Sequence, residues 1–230
     1  MMKQLVLDMG LSQGPSLNNF CAGSNEAALI HLKLWLGPPG TELASRSPLP
    51  TYLWGNSGCG KTHLLKATAA ALQAQGLCVG WLDTSVAEPL DFDESWAAVL
   101  MDDVHAFNLA QQQTAFNWFV NAQTLQRAVL AGGALPPSDL KLRDDLRTRL
   151  GWGHVFALHA LDEPQRRAVL RASADARGVM LSDEVMDFML TRFSRDLGSL
   201  MELLDLMDSY ALQTQRAITI PLIKTMMDNA

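Results

Sequence analysis

Gly55-Asn56-Ser57-Gly58-Cys59-Gly60-Lys61-Thr62 has the spacing G-x-x-x-x-G-K-[ST]. Glycines at these positions permit a tight turn whose backbone N–H groups point inward at phosphate oxygens. Lys61 would reach the β- and γ-phosphates, and the Thr62 hydroxyl would bind Mg²⁺. His63 follows and is counted with the nucleotide-binding stretch as a hydrogen-bonding residue at a helix start. A second chemical signal is Asp102-Asp103, which ends the apolar run Ala97-Ala98-Val99-Leu100-Met101. A carboxylate at the end of a buried strand downstream of a phosphate loop can hold Mg²⁺, which assigns that ion to Asp102 together with Thr62. Asp103 is then the residue that orients or deprotonates an attacking water. The third is Arg149, in Asp145-Leu146-Arg147-Thr148-Arg149-Leu150-Gly151-Trp152-Gly153. At the rim of a sheet, set against a neighbour's nucleotide, it would stabilise the charge of a transferring phosphoryl group. By spacing alone, a solvated surface arginine is the favoured reading. His105, His154 and His159 lack zinc-site spacing and are expected to be structural, and Cys59 is expected to be inert.

These groups need positioning elements. Leu49–Trp54 reads as a strand and His63–Leu72 as a helix, so the glycine turn sits at a helix N-terminus, where the dipole also favours anions. Strands are expected at 77–82, 97–101, 127–131 (closed by Gly132-Gly133) and 155–158. Helices are expected at 27–36, capped by Ser24 or Asn25, at 110–126 with Phe116, Phe119 and Val120 on one face, and at 140–150. Alternating strands and helices imply a parallel sheet covered on both faces. Beyond residue 160 only helices are expected, begun by the capping pair Asp162/Gln165 with Pro164 in the first turn. Val185, Phe188 and Met189 point inward on one of them, and Leu200, Leu203, Leu204, Met207 and Ala211 on the next. Met180, Met186, Met189, Met201 and Met207 read as core filler.

Composition bounds the function. The chain has 230 residues, 48% of them hydrophobic, and a net charge of −6. It shows no signal peptide and no membrane-length apolar run. Three scattered cysteines (Cys21, Cys59, Cys78) suit a reducing compartment, so a cytoplasmic location is expected. The cluster Lys141, Arg143, Arg147, Arg149 is interleaved with Asp139, Asp144 and Asp145. Little direct DNA binding is therefore expected.

Over about residues 16–230, Gly60-Lys61-Thr62-His63-Leu64-Leu65, Val99-Leu100-Met101-Asp102-Asp103-Val104 and Thr148-Arg149-Leu150-Gly151-Trp152-Gly153 resemble the ATPase part of DnaA-type bacterial replication initiators. A short chain of this kind with an N-terminal Gln-Leu-x-Leu peptide resembles the Hda family, the regulatory inactivators of DnaA. The resemblance implies an α/β AAA+ fold, a five-stranded parallel sheet flanked by helices with a small all-helical C-terminal lid. It divides the chain into a tail at 1–15, a nucleotide-binding domain at 16–160 and a lid at 161–230. It implies ADP or ATP with Mg²⁺, Arg149 as arginine finger, Asp102 as Mg²⁺ aspartate and Phe20 beside the adenine. The family's first-sensor aspartate falls on Ala134 and its second-sensor arginine on Gly198. The implied partners are DnaA itself and the DNA polymerase sliding clamp (β subunit), the latter through Gln4, Leu5, Leu7 and Met9. Self-association is left open. The implied function is negative regulation of replication initiation by stimulating hydrolysis of DnaA-bound ATP. The alternative is an autonomous DnaA-like ATPase or a helicase-loading factor.

Overall fold

The computed structural model describes residues 14–87, 90–192, 197–214 and 218–228, with side chains omitted at 211–214 and 226–228. Gln4, Leu5, Leu7 and Met9 lie outside the described residues. The chain divides into a larger unit over residues 15–160 and a smaller one holding residues 161–230.

The larger unit is a parallel five-stranded sheet. Its strands are β1 (Thr51–Trp54), β2 (Cys78–Leu82), β3 (Trp96–Met101), β4 (Ala128–Gly133) and β5 (His154–Ala157), in the order β2-β3-β4-β1-β5. The helices are α1 (Glu26–Leu36), α2 (Lys61–Gln73), α3 (Leu109–Thr124) and α4 (Asp144–Leu150). Side-chain alternation along the strands feeds two separate cores. Leu53, Ala98, Leu100 and Leu130 pack with Leu32, Leu64, Leu65 and Leu72 of α1 and α2. Tyr52, Val99, Met101 and Val129 pack with Trp118, Phe119 and Leu146 of α3 and α4. Both faces are covered, which is why β3 and β4 read as continuous apolar runs.

Several sequence expectations shift. Asn25 precedes α1 without capping it. Its side chain instead spans 134 positions: Nδ2 donates to the His159 carbonyl and Oδ1 accepts from the His159 N–H, each at 2.8 Å. On α3 the inward residues are Ala115, Trp118, Phe119 and Ala122 with Gln111 and Gln112, while Phe116 and Val120 stand half-buried on its flank. The cap is a reciprocal box between Asn108 and Gln111. Gly132 and Gly133 continue β4 rather than closing it. A Cβ on Gly133 would lie 2.1 Å from the Tyr52 hydroxyl, so the tyrosine packs only against a bare backbone. That hydroxyl donates to the Leu135 carbonyl at 2.8 Å. The helix expected from residue 140 starts at Asp144, preceded by a 3₁₀ turn at Pro137–Asp139.

The smaller unit is helical: α5 (Glu163–Ala176), α6 (Asp183–Arg192), α7 (Leu197–Thr214) and α8 (Ile220–Asp228). Asp162 and Gln165 form the capping box that their spacing indicates, with Pro164 in the first turn. Leu170, Val185, Met186, Met189, Leu200, Leu204, Met207 and Ile223 make its core. Phe188 and Leu203 pack at its margin. Met180 departs from the filler reading, being 91% exposed in the turn after α5. Among the described residues no helix is long and apolar enough to cross a membrane.

Candidate functional site

In a parallel sheet all the strand carboxyl ends emerge along one edge, and ligands bind in the crevice outside it. Here that edge brings together the turn after β1, the acids after β3 and the glycines ending β4. The turn needs left-handed backbone at Gly58 (φ 75°) and Gly60 (φ 99°), which glycine adopts without strain. Gly55 is held by close neighbours as well. A Cβ there would meet the Leu158 carbonyl at 2.3 Å and the buried Cys59 sulfur at 3.0 Å. Gly60 leads directly into α2, whose first-turn N–H groups are the unpaired donors of any helix start.

Lys61 is buried, yet its ammonium has carbonyls for company. Nζ donates to Gly55 O at 2.8 Å and Asn56 O at 3.1 Å, with Cys59 Sγ at 3.7 Å. A buried ammonium without an ion partner is costly, so the loop is pre-charged for an anion. Across the cradle, 40 positions on, Thr62 Oγ1 donates to Asp102 Oδ2 at 2.6 Å. The Asp103 N–H donates to the other carboxylate oxygen at 3.0 Å. Burial pushes the Asp102 carboxyl above its ordinary pKa, and these hydrogen bonds offset only part of that. Gly132 leaves room for the acid, since a Cβ there would sit 3.2 Å from Asp102 Oδ1. This set fits a nucleoside phosphate with Mg²⁺: glycine turn, ammonium, hydroxyl and one carboxylate. Mg²⁺ is commonly bound by one or two carboxylates plus substrate phosphates.

Asp103 adopts left-handed backbone (φ 50°) and is half-buried. Its Oδ1 lies 3.9 Å from His105 Nδ1, which also accepts from the Ala134 N–H at 3.3 Å. His105 thus touches Ala134, the residue on which the resemblance puts the first sensor. Phe20 lies against the phosphate turn. A Cβ on Gly60 would come within 2.6 Å of its ring. Phe20 also faces His63, with ring centroids 5.5 Å apart, and His63 Nε2 bonds the Ser16 carbonyl at 3.1 Å. Burial lowers the His63 pKa, with the Ser16 bond opposing. The segment before α1 is thereby fastened across the start of α2.

Arg149 stands apart from these groups, at the end of α4. Its neighbours Arg143 and Arg147 are paired with Asp145 and Asp144, each at 2.8 Å. Arg149 has no carboxylate partner among the described residues. Its guanidinium is held by rings, with the carbon 5.0 Å from the Trp152 centroid, 5.4 Å from Phe116 and 5.9 Å from Phe119.

Comparison with known proteins places this geometry. Residues 162–227 match the family model "Hda, lid domain". The chain is 32% identical over 241 aligned positions to an uncharacterised protein of Haemophilus influenzae, covering 99% of this chain and 100% of that one. The chain belongs to one family with that Haemophilus influenzae protein, resembles Hda in its C-terminal helices, and has a DnaA-like fold. Its fold is similar to the crystal structure of domain III of Thermotoga maritima DnaA, with a TM-score of 0.73 at 19% identity over 93% of this chain and 95% of that one. It is also similar to AMPPCP-bound DnaA from Aquifex aeolicus, with a TM-score of 0.64 at 21% identity over 84% and 64% of the two chains.

Within this DnaA-like fold the structure brings Gly55 to His63, Phe20, Asp102 and Asp103 into one neighbourhood and leaves Arg149 on another helix. Sequence reading missed the ring platform under Arg149, the room that Gly132 makes for Asp102, and the His105–Ala134 contact. Trp152 was visible in the motif. Nothing in the spacing announces Phe116, which comes from a different helix.

Proposed function

We propose that this protein regulates bacterial replication initiation by stimulating hydrolysis of ATP bound to a DnaA-type initiator. The observation that carries the reading is Arg149: a guanidinium with no carboxylate partner among the described residues, steadied by Trp152 and Phe116. A cation so held is available to a phosphate outside its own chain. The match to the Hda lid model and the DnaA-like fold support the initiator as the phosphate's owner.

In this reading the chain's own cradle holds ADP or ATP. Lys61 would contact the phosphates, Thr62 and Asp102 would hold Mg²⁺, and Phe20 would lie toward the base. Mg²⁺ would neutralise phosphate charge there. Asp103 would orient a water, and Ala134 supplies no side-chain polar group to help it at the position on which the resemblance puts the first sensor. The peptide Gln4-Leu5-Val6-Leu7-Asp8-Met9 attaches the protein to the sliding clamp, with Gln4 in one pocket and Leu7 and Met9 in an apolar one. The net charge of −6 and the paired arginines of α4 suit protein partners better than DNA.

The test is single-turnover hydrolysis by ATP-loaded DnaA with DNA-loaded clamp, comparing wild type with Arg149→Ala. An arginine finger given in trans contributes about 10³–10⁵ in rate in related chemistry. Stimulation unchanged in Arg149→Ala refutes the reading. A second reading, an autonomous ATPase, is favoured by the assembled Lys61, Thr62 and Asp102 set. It expects rapid turnover by the protein alone, abolished by Lys61→Ala.

A further inference from the structure

A groove of about 470 Å³ runs along α3, away from the phosphate cradle. Leu90 and Phe92 wall it on the β2–β3 connection, Phe116 and Val120 on the helix, and Leu125 just past the helix end. The connection is fastened to α3 from beneath. Trp118 Nε1 donates to the Leu90 carbonyl at 3.0 Å. Phe92, Trp96 and Trp118 stack edge-on, with centroids 5.4 and 4.6 Å apart. The wall is therefore preformed, and Leu90 is held by its carbonyl while its side chain stays 74% exposed. Leu90 thus presents an apolar side chain at the rim of a groove that Asn117, Asn121 and Thr124 also line.

Two further features specify the occupant. The charged side chains lining the groove are Asp91 and Glu94, both acidic and exposed. Phe116, which lines the groove, is also one of the rings that carry Arg149, at 5.4 Å. A protein surface that received Arg149 would extend over Phe116 and into the groove.

We propose that the groove docks an amphipathic basic segment of the same protein whose nucleotide Arg149 serves. An apolar side chain of that segment seats against Leu90, Phe92 and Val120. A lysine or arginine beside it pairs with Asp91 and Glu94. The proposal rests on the arginine-finger reading for the identity of the partner. It assigns the two faces different work: the groove supplies affinity and orientation, and Arg149 supplies rate.

The experiment separates them. Hydrolysis by the ATP-loaded initiator is measured against the concentration of this protein, for wild type, Asp91→Lys/Glu94→Lys, Leu90→Ser and Arg149→Ala. Leu90, Asp91 and Glu94 are exposed and Arg149 is half-buried, and thermal melting checks that each variant folds. The groove variants are expected to raise the half-saturating concentration about tenfold, roughly 1.4 kcal/mol of binding, with the maximal rate unchanged. The charge-reversal effect should shrink at high salt. Arg149→Ala should lower the maximal rate instead. Half-saturation within twofold of wild type in both groove variants overturns the proposal. If Arg149→Ala is without effect, the finger reading fails, and the groove is judged by calorimetric binding to the initiator. Binding weakened by charge reversal then supports it, and unchanged binding overturns it. Should charge reversal dissociate a self-dimer while initiator binding is intact, the occupant is a second copy and the proposal is overturned.

Discussion

Trp152→Ala should slow the stimulated hydrolysis two- to fivefold while leaving the fold untouched. Trp152 offers the nearest ring to the Arg149 guanidinium, at 5.0 Å, with Phe116 and Phe119 farther off at 5.4 and 5.9 Å. A cation over tryptophan contributes about 0.5–1 kcal/mol at an exposed site and about 2 when desolvated. Trp152 is 59% exposed, which selects the lower range. Losing about 0.5–1 kcal/mol of preference for the held rotamer reduces its population two- to fivefold. The guanidinium itself remains, so the loss stays far below that of Arg149→Ala. Truncating a side chain this exposed costs stability no more than about 1 kcal/mol, the lost ring contact included. The assay is single-turnover hydrolysis by ATP-loaded DnaA at saturating amounts of this protein, with thermal melting alongside. Trp152→Phe, which keeps a ring, should fall between wild type and Trp152→Ala. A Trp152→Ala rate equal to wild type refutes the platform argument. So does a rate as low as that of Arg149→Ala, because the rings would then act by more than holding a rotamer.

Asp102→Asn should stabilise the fold near neutral pH while weakening Mg²⁺-dependent nucleotide binding. The folded carboxyl pKa is raised, so its contribution to stability is fully present below the ordinary value of 3.8 and lost as pH rises through the raised value. Melting temperatures of mutant and wild type should therefore converge at low pH and separate with the mutant higher toward pH 7. Equal melting temperatures at both ends would show that burial does not dominate at this acid. Gly60→Ala places a Cβ on a φ of 99° and 2.6 Å from Phe20. It should cost more than about 1 kcal/mol, a fall of at least about 2 °C for a chain of this size, and weaken nucleotide binding in a fluorescence titration. Wild-type affinity in that variant would show that Phe20 does not bear on the pocket.

Much of the fold was legible because its signals are local. The continuous apolar run before Asp102 marks a strand covered on both faces, and the Asp162/Gln165 spacing marks a helix start. The misplacements have equally specific causes. Asn25 has the chemistry of a helix cap, but a partner 134 positions away takes both of its hydrogen bonds. Gly132-Gly133 read as a strand terminator because glycine usually weakens strands. Here a bare backbone is what lets Tyr52 and Asp102 approach. Phe116 and Phe119 looked alike along one helix, yet Phe119 enters the core and Phe116 joins Arg149 and the groove.

The sequence alone determined the glycine turn, the strand–turn–helix around it and the acid downstream, because each depends on spacing within a few residues. The tertiary structure decided which distant groups meet. It set Asp102 against Thr62 through the strand order and register of β1, β4 and β3, and laid Phe20 over Gly60. It left Arg149 among rings while its neighbours found carboxylates. Spacing along a chain constrains dihedrals and helix or strand faces, whereas partners across a sheet depend on the packing of the whole, which no single segment encodes.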